Sequence, residues 1–537
     1  MKARIPAALA ALAALAAAPA AAQSAGPRDP GLAPRVSLPG DVAAASLAAD
    51  PASWIVAARG DRAAGARIAR AHGARRIAGS AWLVPRAGVR PLAARLRARG
   101  LLDYAEPDRI AHRTQAPDPL SPRAGWRDVV VGDAVAPPVG PTSPLIALVD
   151  TMVDVNHPEI AGSNITTLGG AQPADFHGTA TATVAAAPAN GVGMLGIWPG
   201  ARALNVPLPN GRQILCSQSA RAIARAIRNG AAVINMSYGS PQRCTTEQEQ
   251  VNRAVRAGAV PVAASGNEAE KGNPLEYPAS LPHVLTVGGL GLDDRPTRFS
   301  NTSAAIDLSA PGIGILTGVA AAFDPDRDGF APVSGTSFAA PMVAAAVAWV
   351  RAARPDLTAY QAAQVVRRGA RDIGAAGYDR KTGWGALSLP GALARPAPAE
   401  DPLEPNDDVR YVDGRAFEAL APALYDGSPA ALAATVDVAE DPSDVYRIKV
   451  RAGRRVRVTL EVAAGDPDVW VFDSRTRSAF RSRPVAGSTK RGGRDRVSVR
   501  NRGSRTTTFY VAVGFSEQKL RKGRLPGLDA AYALRVG

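Results

Sequence analysis

Two rhythms of apolar and polar residues divide this chain. From about residue 144, short apolar runs without polar alternation recur at 145–149, 203–207, 233–236, 260–264 and 283–287, the pattern of strands covered on both faces. Helical patterns lie between them. Residues 217–229 put Ala220, Ile223, Ala224 and Ile227 on one face and stop at Gly230, while a second helix opens on Thr245-x-x-Gln248, a capping-box spacing, and stops at Gly258. This alternation predicts an α/β fold, a parallel sheet with helices on both faces, whose reactive groups gather at the strands' carboxyl ends. Beyond the proline-rich stretch 390–405 the period drops to two. Runs at 437–438, 445–450, 456–462, 469–472, 497–499, 509–513 and 532–536, broken by Gly, Asp and Pro, predict a small antiparallel β-sandwich. Ahead of the α/β region, 53–57, 63–72, 80–84, 92–99 and 101–106 read as strand, helix, strand, helix and strand within a module at 52–112. A proline-rich connector at 116–122 follows, with the look of an exposed, protease-accessible linker.

Composition narrows the class. The 537 residues leave room for about three domains, and 46% hydrophobic with 20% charged residues excludes wholesale disorder. The net charge is +16, but more than half of that excess lies in the first 119 residues. A nucleic-acid enzyme would keep its positive surface at the working site, so no nucleic-acid partner is expected. Within the tail, 475–505 is densely basic, a solvated charge run or an attraction to polyanionic surfaces. The chain starts with Lys2 and Arg4, an Ala/Leu run, Pro19 and Ala20-Ala21-Ala22, the parts of a cleaved secretory signal. That predicts a secreted, extracellular protein (reached through a periplasm in a two-membrane bacterium) without a membrane span. In an oxidising compartment Cys216 and Cys244 are expected to form one disulfide.

The chemistry sits in four fragments. Asp150 ends the run Ile146-Ala147-Leu148-Val149, and His177-Gly178-Thr179 opens a helical stretch. Ser334-Gly335-Thr336-Ser337 opens a long apolar helix, and Asn267 follows Ala263-Ala264-Ser265-Gly266 at a strand end. A serine hydroxyl needs a base to take its proton, an imidazole suits that near neutrality, and a carboxylate fixes the imidazole tautomer. A helix start and a side-chain amide can both stabilise an oxyanion. Of the five histidines, only His177 has this Gly-flanked, helix-opening setting; His157 and His283 read as structural.

The order Asp, His, Asn, Ser resembles the subtilisin-like serine peptidases, the subtilases. The shared residues run from Asp150-Thr151 through Asn190-Gly191-Val192-Gly193, Ser237-Tyr238-Gly239, Tyr277-Pro278-Ala279 and Ala310-Pro311-Gly312 to Ser334–Pro341. The resemblance implies that Asp150 orients, His177 is general base and acid, Ser337 attacks and Asn267 holds the oxyanion. Ser237, Tyr238 and Gly239 would pair with the substrate backbone. Residues 52–112 resemble a subtilase propeptide. The tail, with Glu404-Pro405-Asn406-Asp407, Asp441-Pro442-Ser443-Asp444 and Asp466-Pro467-Asp468, resembles the bacterial pre-peptidase C-terminal domain. The implied organisation is a signal peptide at 1–22, a propeptide and linker at 23–119, a catalytic domain at 120–390, a linker at 391–404 and a β-sandwich at 405–537. Polypeptides are the expected substrates and the chain's own propeptide its inhibitor; a monomer is expected. Three positions depart from the family pattern: Met152, Phe176 and Ala180, the first two adding bulk beside Asp150 and His177. The competing reading is a secreted binding protein whose subtilase domain has decayed and whose basic tail does the work. No cofactor is required. Asp324, Asp326 and Asp328 match the first half of a calcium loop, but position twelve is Gly335 rather than a bidentate Glu, so a polar turn competes with a calcium site.

Overall fold

The computed structural model describes residues 53–107, 118–121, 124–169, 174–210, 213–324, 328–490, 492–516 and 529–537. The signal-like start, residues 116, 117 and 122 of the connector, and Asp326 lie outside the described residues; within the rest of the connector Asp118 is buried rather than exposed, accepting the amides of Gly191 and Val192. The chain divides into two compact units, 1–114 and 115–537.

In the first unit a four-stranded antiparallel sheet carries two helices, Arg62–Ala71 and Arg86–Arg97. Trp54, Val56, Trp82, Val84, Leu92 and Leu96 form its core. Asp61 starts the first helix by accepting the amides of Ala63 and Ala64 at 2.9 and 3.0 Å. The strand Arg75–Ala78 is absent from the sequence reading, because two consecutive arginines mask its period. The second helix begins six residues before the expected 92, with Pro91 inside it.

The second unit is built on seven strands: β1 Ile146–Asp150, β2 Ile165–Thr167, β3 Ala203–Pro207, β4 Val233–Met236, β5 Val260–Ala264, β6 Leu285–Leu290 and β7 Leu308–Pro311. Their order is β7-β6-β5-β4-β1-β3-β2, and every neighbouring pair is parallel. Five helices matter here: α1 Phe176–Ala186, α2 Cys216–Arg228, α3 Thr245–Arg256, α4 Thr336–Ala353 and α5 Ala359–Arg368. The strand order reverses at β1, so Asp150 stands at the switch point where a parallel sheet opens a crevice. Helix α4 is apolar on every side and buried against β4, β5 and β6. Among the described residues it is the one helix long and apolar enough to cross a membrane, and most of it lies inside the core.

Two boundaries moved. Helix α3 is capped by Cys244 rather than Thr245. Strand β6 starts at Leu285, because His283 takes a positive φ of 63° and turns its ring towards the tail. Cys216 and Cys244 are disulfide-bonded, tying the starts of α2 and α3 together.

The tail is a sandwich of a five-stranded and a four-stranded sheet with a Val/Ile/Leu/Tyr core. Among the described residues its one parallel pair, Ala423–Tyr425 beside Ser443–Val450, departs from the all-antiparallel expectation. On the strand Arg494–Arg500, Asp495, Val497 and Val499 point inwards while Arg494, Arg496 and Arg500 are exposed, so these three members of the basic run share one face of a sheet. Sandwich and α/β layer belong to the same unit and meet through buried charge. Arg367 of α5 pairs with Asp307 at 2.7 Å and with Asp437 and Glu440 of the tail at 2.8 Å each.

Candidate active site

The carboxyl ends of β1, β4 and β5 are level, since Val149 lies beside Met236 and Met236 beside Ala263. Asp150, the Ser237–Gly239 segment and the Gly266-Asn267 loop therefore emerge along one edge.

Asp150 is buried and fully engaged. Its Oδ1 accepts His177 Nδ1 at 2.6 Å and the Thr151 amide at 2.7 Å, and its Oδ2 accepts the Thr181 hydroxyl at 3.0 Å. Those bonds fix the carboxylate and, through it, the ring: Nδ1 carries the proton and Nε2 is left to act as a base. Asp175 caps α1 by accepting the His177 amide at 2.9 Å. Gly178 is needed next, because a Cβ there would lie 2.1 Å from the Thr151 carbonyl oxygen. Burial alone would lower the His177 pKa, but the Asp150 carboxylate, helped by Asp175, raises it above the ordinary imidazole value.

Ser337 is half-buried in the first turn of α4, after Gly335, whose φ of 152° favours glycine. Its hydroxyl donates to the Ser237 carbonyl at 3.2 Å, and the Ser237 hydroxyl donates back to the Ser337 carbonyl at 2.7 Å. The His177 ring packs on Phe338, the residue after Ser337, with centroids 5.4 Å apart. Among the described residues the Ser337 hydroxyl is thus bonded to the Ser237 carbonyl and not to the imidazole. Catalytic hydrogen bonds are often unmade without substrate.

Asn267 is held by its oxygen, which accepts both the amide and the hydroxyl of Thr336 at 2.9 and 3.0 Å. Its Nδ2 lies on the side of Gly335, 3.4 Å from where a Cβ on that glycine would be. The amide donor is thus aimed at the start of α4, beside the serine. Tyr238 donates to or accepts from Ser219 at 2.7 Å, and Ser219 in turn bonds Glu247. This buried set braces the 237–239 segment on α2 and α3, the helices that the disulfide joins. Burial, reinforced by Glu247, pushes the Tyr238 pKa well up.

The bulky departures do not separate the pair. Met152 is buried, with its sulfur accepting the Thr167 hydroxyl at 3.4 Å. Phe176 packs edge-on against His177 at 5.9 Å and tilted by 57° against the exposed Phe323 at 5.6 Å. Ala180 is buried inside α1, its carbonyl accepting the Thr317 hydroxyl at 2.9 Å.

Sequence reasoning missed three groups. Thr181 and Thr336 hold Asp150 and Asn267, and each follows a recognised motif residue closely enough to have been suspected. Glu276 gave no signal beyond preceding Tyr277-Pro278. It is 6% exposed, with Oε2 2.8 Å from a would-be Cβ of Gly239 and Cγ 2.7 Å from one on Gly266. It fills the space between the two loops that flank Ser337, and among the described residues its carboxylate has no hydrogen bond or ion pair. Burial and the nearby Glu268 raise its pKa to about 7.

For metals, Asp324 and Asp328 accept the amides of Gly329 and Phe330, stitching their own loop; Asp326 is outside the described residues. The His and carboxylate groups close enough to share an ion lie elsewhere among the described residues, at the tail junction: His283, Glu404 and Asp441, and Asp401, Asp441 and Asp444.

Compared with known proteins, residues 142–385 match the "Subtilase family". A thermophilic serine proteinase of Bacillus sp. (strain AK1) is 34% identical over 257 residues, 45% of this chain and 62% of that protein. Subtilisin BL of Lederbergia lenta is 31% identical over 235 residues, 43% of this chain and 84% of that protein. Fervidolysin of Fervidobacterium pennivorans is 29% identical over 299 residues, 49% of this chain and 42% of fervidolysin. Its crystal structure superposes with a TM-score of 0.48 and 19% identity, covering 84% of this chain and 85% of that one. The sequence match thus spans less than two thirds of fervidolysin and of the AK1 proteinase.

Proposed function

The chain belongs to the subtilase family, and on that premise we propose that it is a serine endopeptidase working through an acyl-enzyme. The observation that carries the reading is the 2.6 Å bond from His177 Nδ1 to Asp150 at the mouth where Ser337 starts its helix. In the proposed cycle His177 Nε2 takes the Ser337 proton as Oγ attacks the scissile carbonyl carbon. The oxyanion so formed is held by Asn267 Nδ2 and the α4 amino end. His177 then gives its proton to the leaving amine as the carbon–nitrogen bond breaks. A water, deprotonated by the same imidazole, releases the acid and restores Ser337. The substrate backbone lies along Ser237–Gly239.

The Glu276 carboxylate makes the slot between Gly239 and Gly266 acidic, so the residue preceding the cut bond is best basic, Arg or Lys. The same reading makes the protein a secreted zymogen. Residues 1–22 are its signal, 23–119 an inhibitory propeptide, and 405–537 a pre-peptidase-type tail.

The test is labelling of the processed protein with a serine-directed fluorophosphonate, beside Ser337→Ala. Labelling of the native chain alone supports the endopeptidase. No labelling of correctly processed native protein overturns it in favour of the binding protein. Ser337→Ala should also accumulate with residues 23 to about 119 attached; normal trimming of that variant would assign processing to another protease.

A further inference from the structure

The four-stranded sheet of the tail gathers positive charge on its outer face. Its strands are Ala430–Asp437, Asp529–Val536, Arg455–Val462 and Arg494–Arg500, paired in that order and antiparallel throughout. Side chains alternate across a strand, so Val456, Val458 and Leu460 enter the core while Arg455, Arg457, Thr459 and Glu461 share the opposite face. The register then brings arginines together. Arg455 lies directly opposite Arg500, Arg457 is opposite Ser498, and Thr459 has Arg496 on one side and Arg535 on the other. Arg494 lies opposite Glu461. All six arginines are exposed.

The protein does little to balance them. Among the described residues Glu461 is the one acid paired with any of the six, shared between Arg494 at 3.1 Å and Arg535 at 3.3 Å. The acids at the other end of this sheet, Asp437 and Asp529, are taken up by Arg367 and Arg368 of α5. Arg500 donates to the Gly453 carbonyl at 3.3 Å, which leaves its charge unmatched, and Arg455, Arg457 and Arg496 have no acidic partner among the described residues. Like charges directly opposite in a sheet destabilise it, so the fold bears a cost here that no internal contact offsets. Arg455, Arg457 and Arg535 also line an open groove of about 580 Å³, whose other walls include the small or polar Ala431, Thr459, Ser498 and Gly537.

We propose that this face binds a linear acidic polysaccharide, a chain carrying sulfate or carboxylate groups along its length. A guanidinium fork suits either anion, because both present two oxygens to its paired N–H groups. Alternate residues of a strand stand about 7 Å apart and neighbouring strands about 5 Å apart, so successive anions of one extended chain meet successive arginines. Three features of the face argue against other polyanions and partners. Among the described residues it carries no exposed large apolar side chain with which to enter a bilayer. It presents no exposed aromatic ring on which bases could stack. Its backbone groups are engaged in the ladders of the sheet, leaving none for the main chain of a bound polypeptide. All six arginines lie outside the stretch that matches the family, and the proposal does not rest on the peptidase reading.

The experiment uses the full chain with Ser337→Ala, titrated calorimetrically with heparin at about 0.15 M salt and, as the uncharged control, with dextran. Heparin should bind and dextran should not. Arg457→Ala with Arg496→Ala should weaken heparin binding at least about tenfold. Arg475→Ala with Arg483→Ala removes the same charge from an exposed loop of the other sheet and should change it less than about threefold. The melting temperature of the first pair should not fall, since the substitutions relieve repulsion; where that pair fails to fold, Arg457→Gln with Arg496→Gln is read in the same way. Absence of heparin binding overturns the proposal, and so does equal weakening by the two pairs, which would make the attraction one of overall charge. Tighter binding to phosphatidylglycerol vesicles or to single-stranded DNA than to heparin overturns it as well.

Discussion

The active-site edge and the tail junction both bury carboxylates, and they treat them in opposite ways. At the edge, the single Asp150 meets a full set of donors: an imidazole, a backbone amide and a hydroxyl. At the junction five carboxylates, Asp401, Glu404, Asp407, Asp441 and Asp444, share one imidazole, and each leaves an oxygen without a partner. A charge satisfied by its own fold can be used to orient a neighbour, because nothing else competes for it. A charge left unsatisfied in a buried place costs several kcal/mol. Glu276 stands between the two cases, an unpaired acid at the edge, in the gap between Gly239 and Gly266.

The sharpest way to break this contrast is to uncouple Asp150 from its ring. Asp150→Asn should cut kcat by about 10⁴-fold, because an amide in place of the carboxylate no longer holds Nδ1 protonated; steady-state kinetics on a peptide substrate would show it. A loss of tenfold or less would mean that Thr151 and Thr181 hold the geometry without the charge.

At the junction, Arg367→Met leaves Asp307, Asp437 and Glu440 buried without their guanidinium, and should destabilise the unit by about 3–5 kcal/mol. Denaturant unfolding measures this. Asn267→Ala should lower kcat by about 10²–10³ with KM little changed, a size taken from subtilisin, a member of the same family. An unchanged kcat would hand the oxyanion to another donor.

The smallest effect concerns Glu276. Its pKa, raised to about 7 by burial and Glu268, leaves it largely neutral at pH 6 and ionised at pH 8. The ratio of kcat/KM for an arginine over a leucine peptide should therefore climb by roughly tenfold, equivalent to about 1.4 kcal/mol, across that window. His177 titrates identically for both peptides and cancels from the ratio. Glu276→Gln should flatten the climb; a ratio that stays pH-independent in the native chain would remove Glu276 from substrate selection.

How far the fold could be read beforehand varied with the local signal. The runs 203–207, 233–236 and 260–264 coincide with β3, β4 and β5, because strands buried on both faces are continuously apolar. His283 misled for the same reason: it adjoins such a run, yet its positive φ turns it out of the strand to meet Asp407. The strand Ala430–Asp437 was legible only at its last residue, since alanine-rich sequence carries little period. Glu276 was invisible as a site residue, since it fills a gap between two glycines distant from it in sequence.

Apolar rhythm determined the parallel sheet and the sandwich, and short motifs singled out Asp150, His177, Asn267 and Ser337 as candidates. Those signals are local, set by periodicities of two and 3.6 residues and by the chemistry of single side chains. The tertiary structure alone decided that Ser337 rests on the Ser237 carbonyl, that Glu276 fills the gap between Gly239 and Gly266, and that carboxylates from 401–444 converge beside His283. Charges interact through space, over a few ångströms, so separation along the chain carries almost no information about which of them will have to share one buried site.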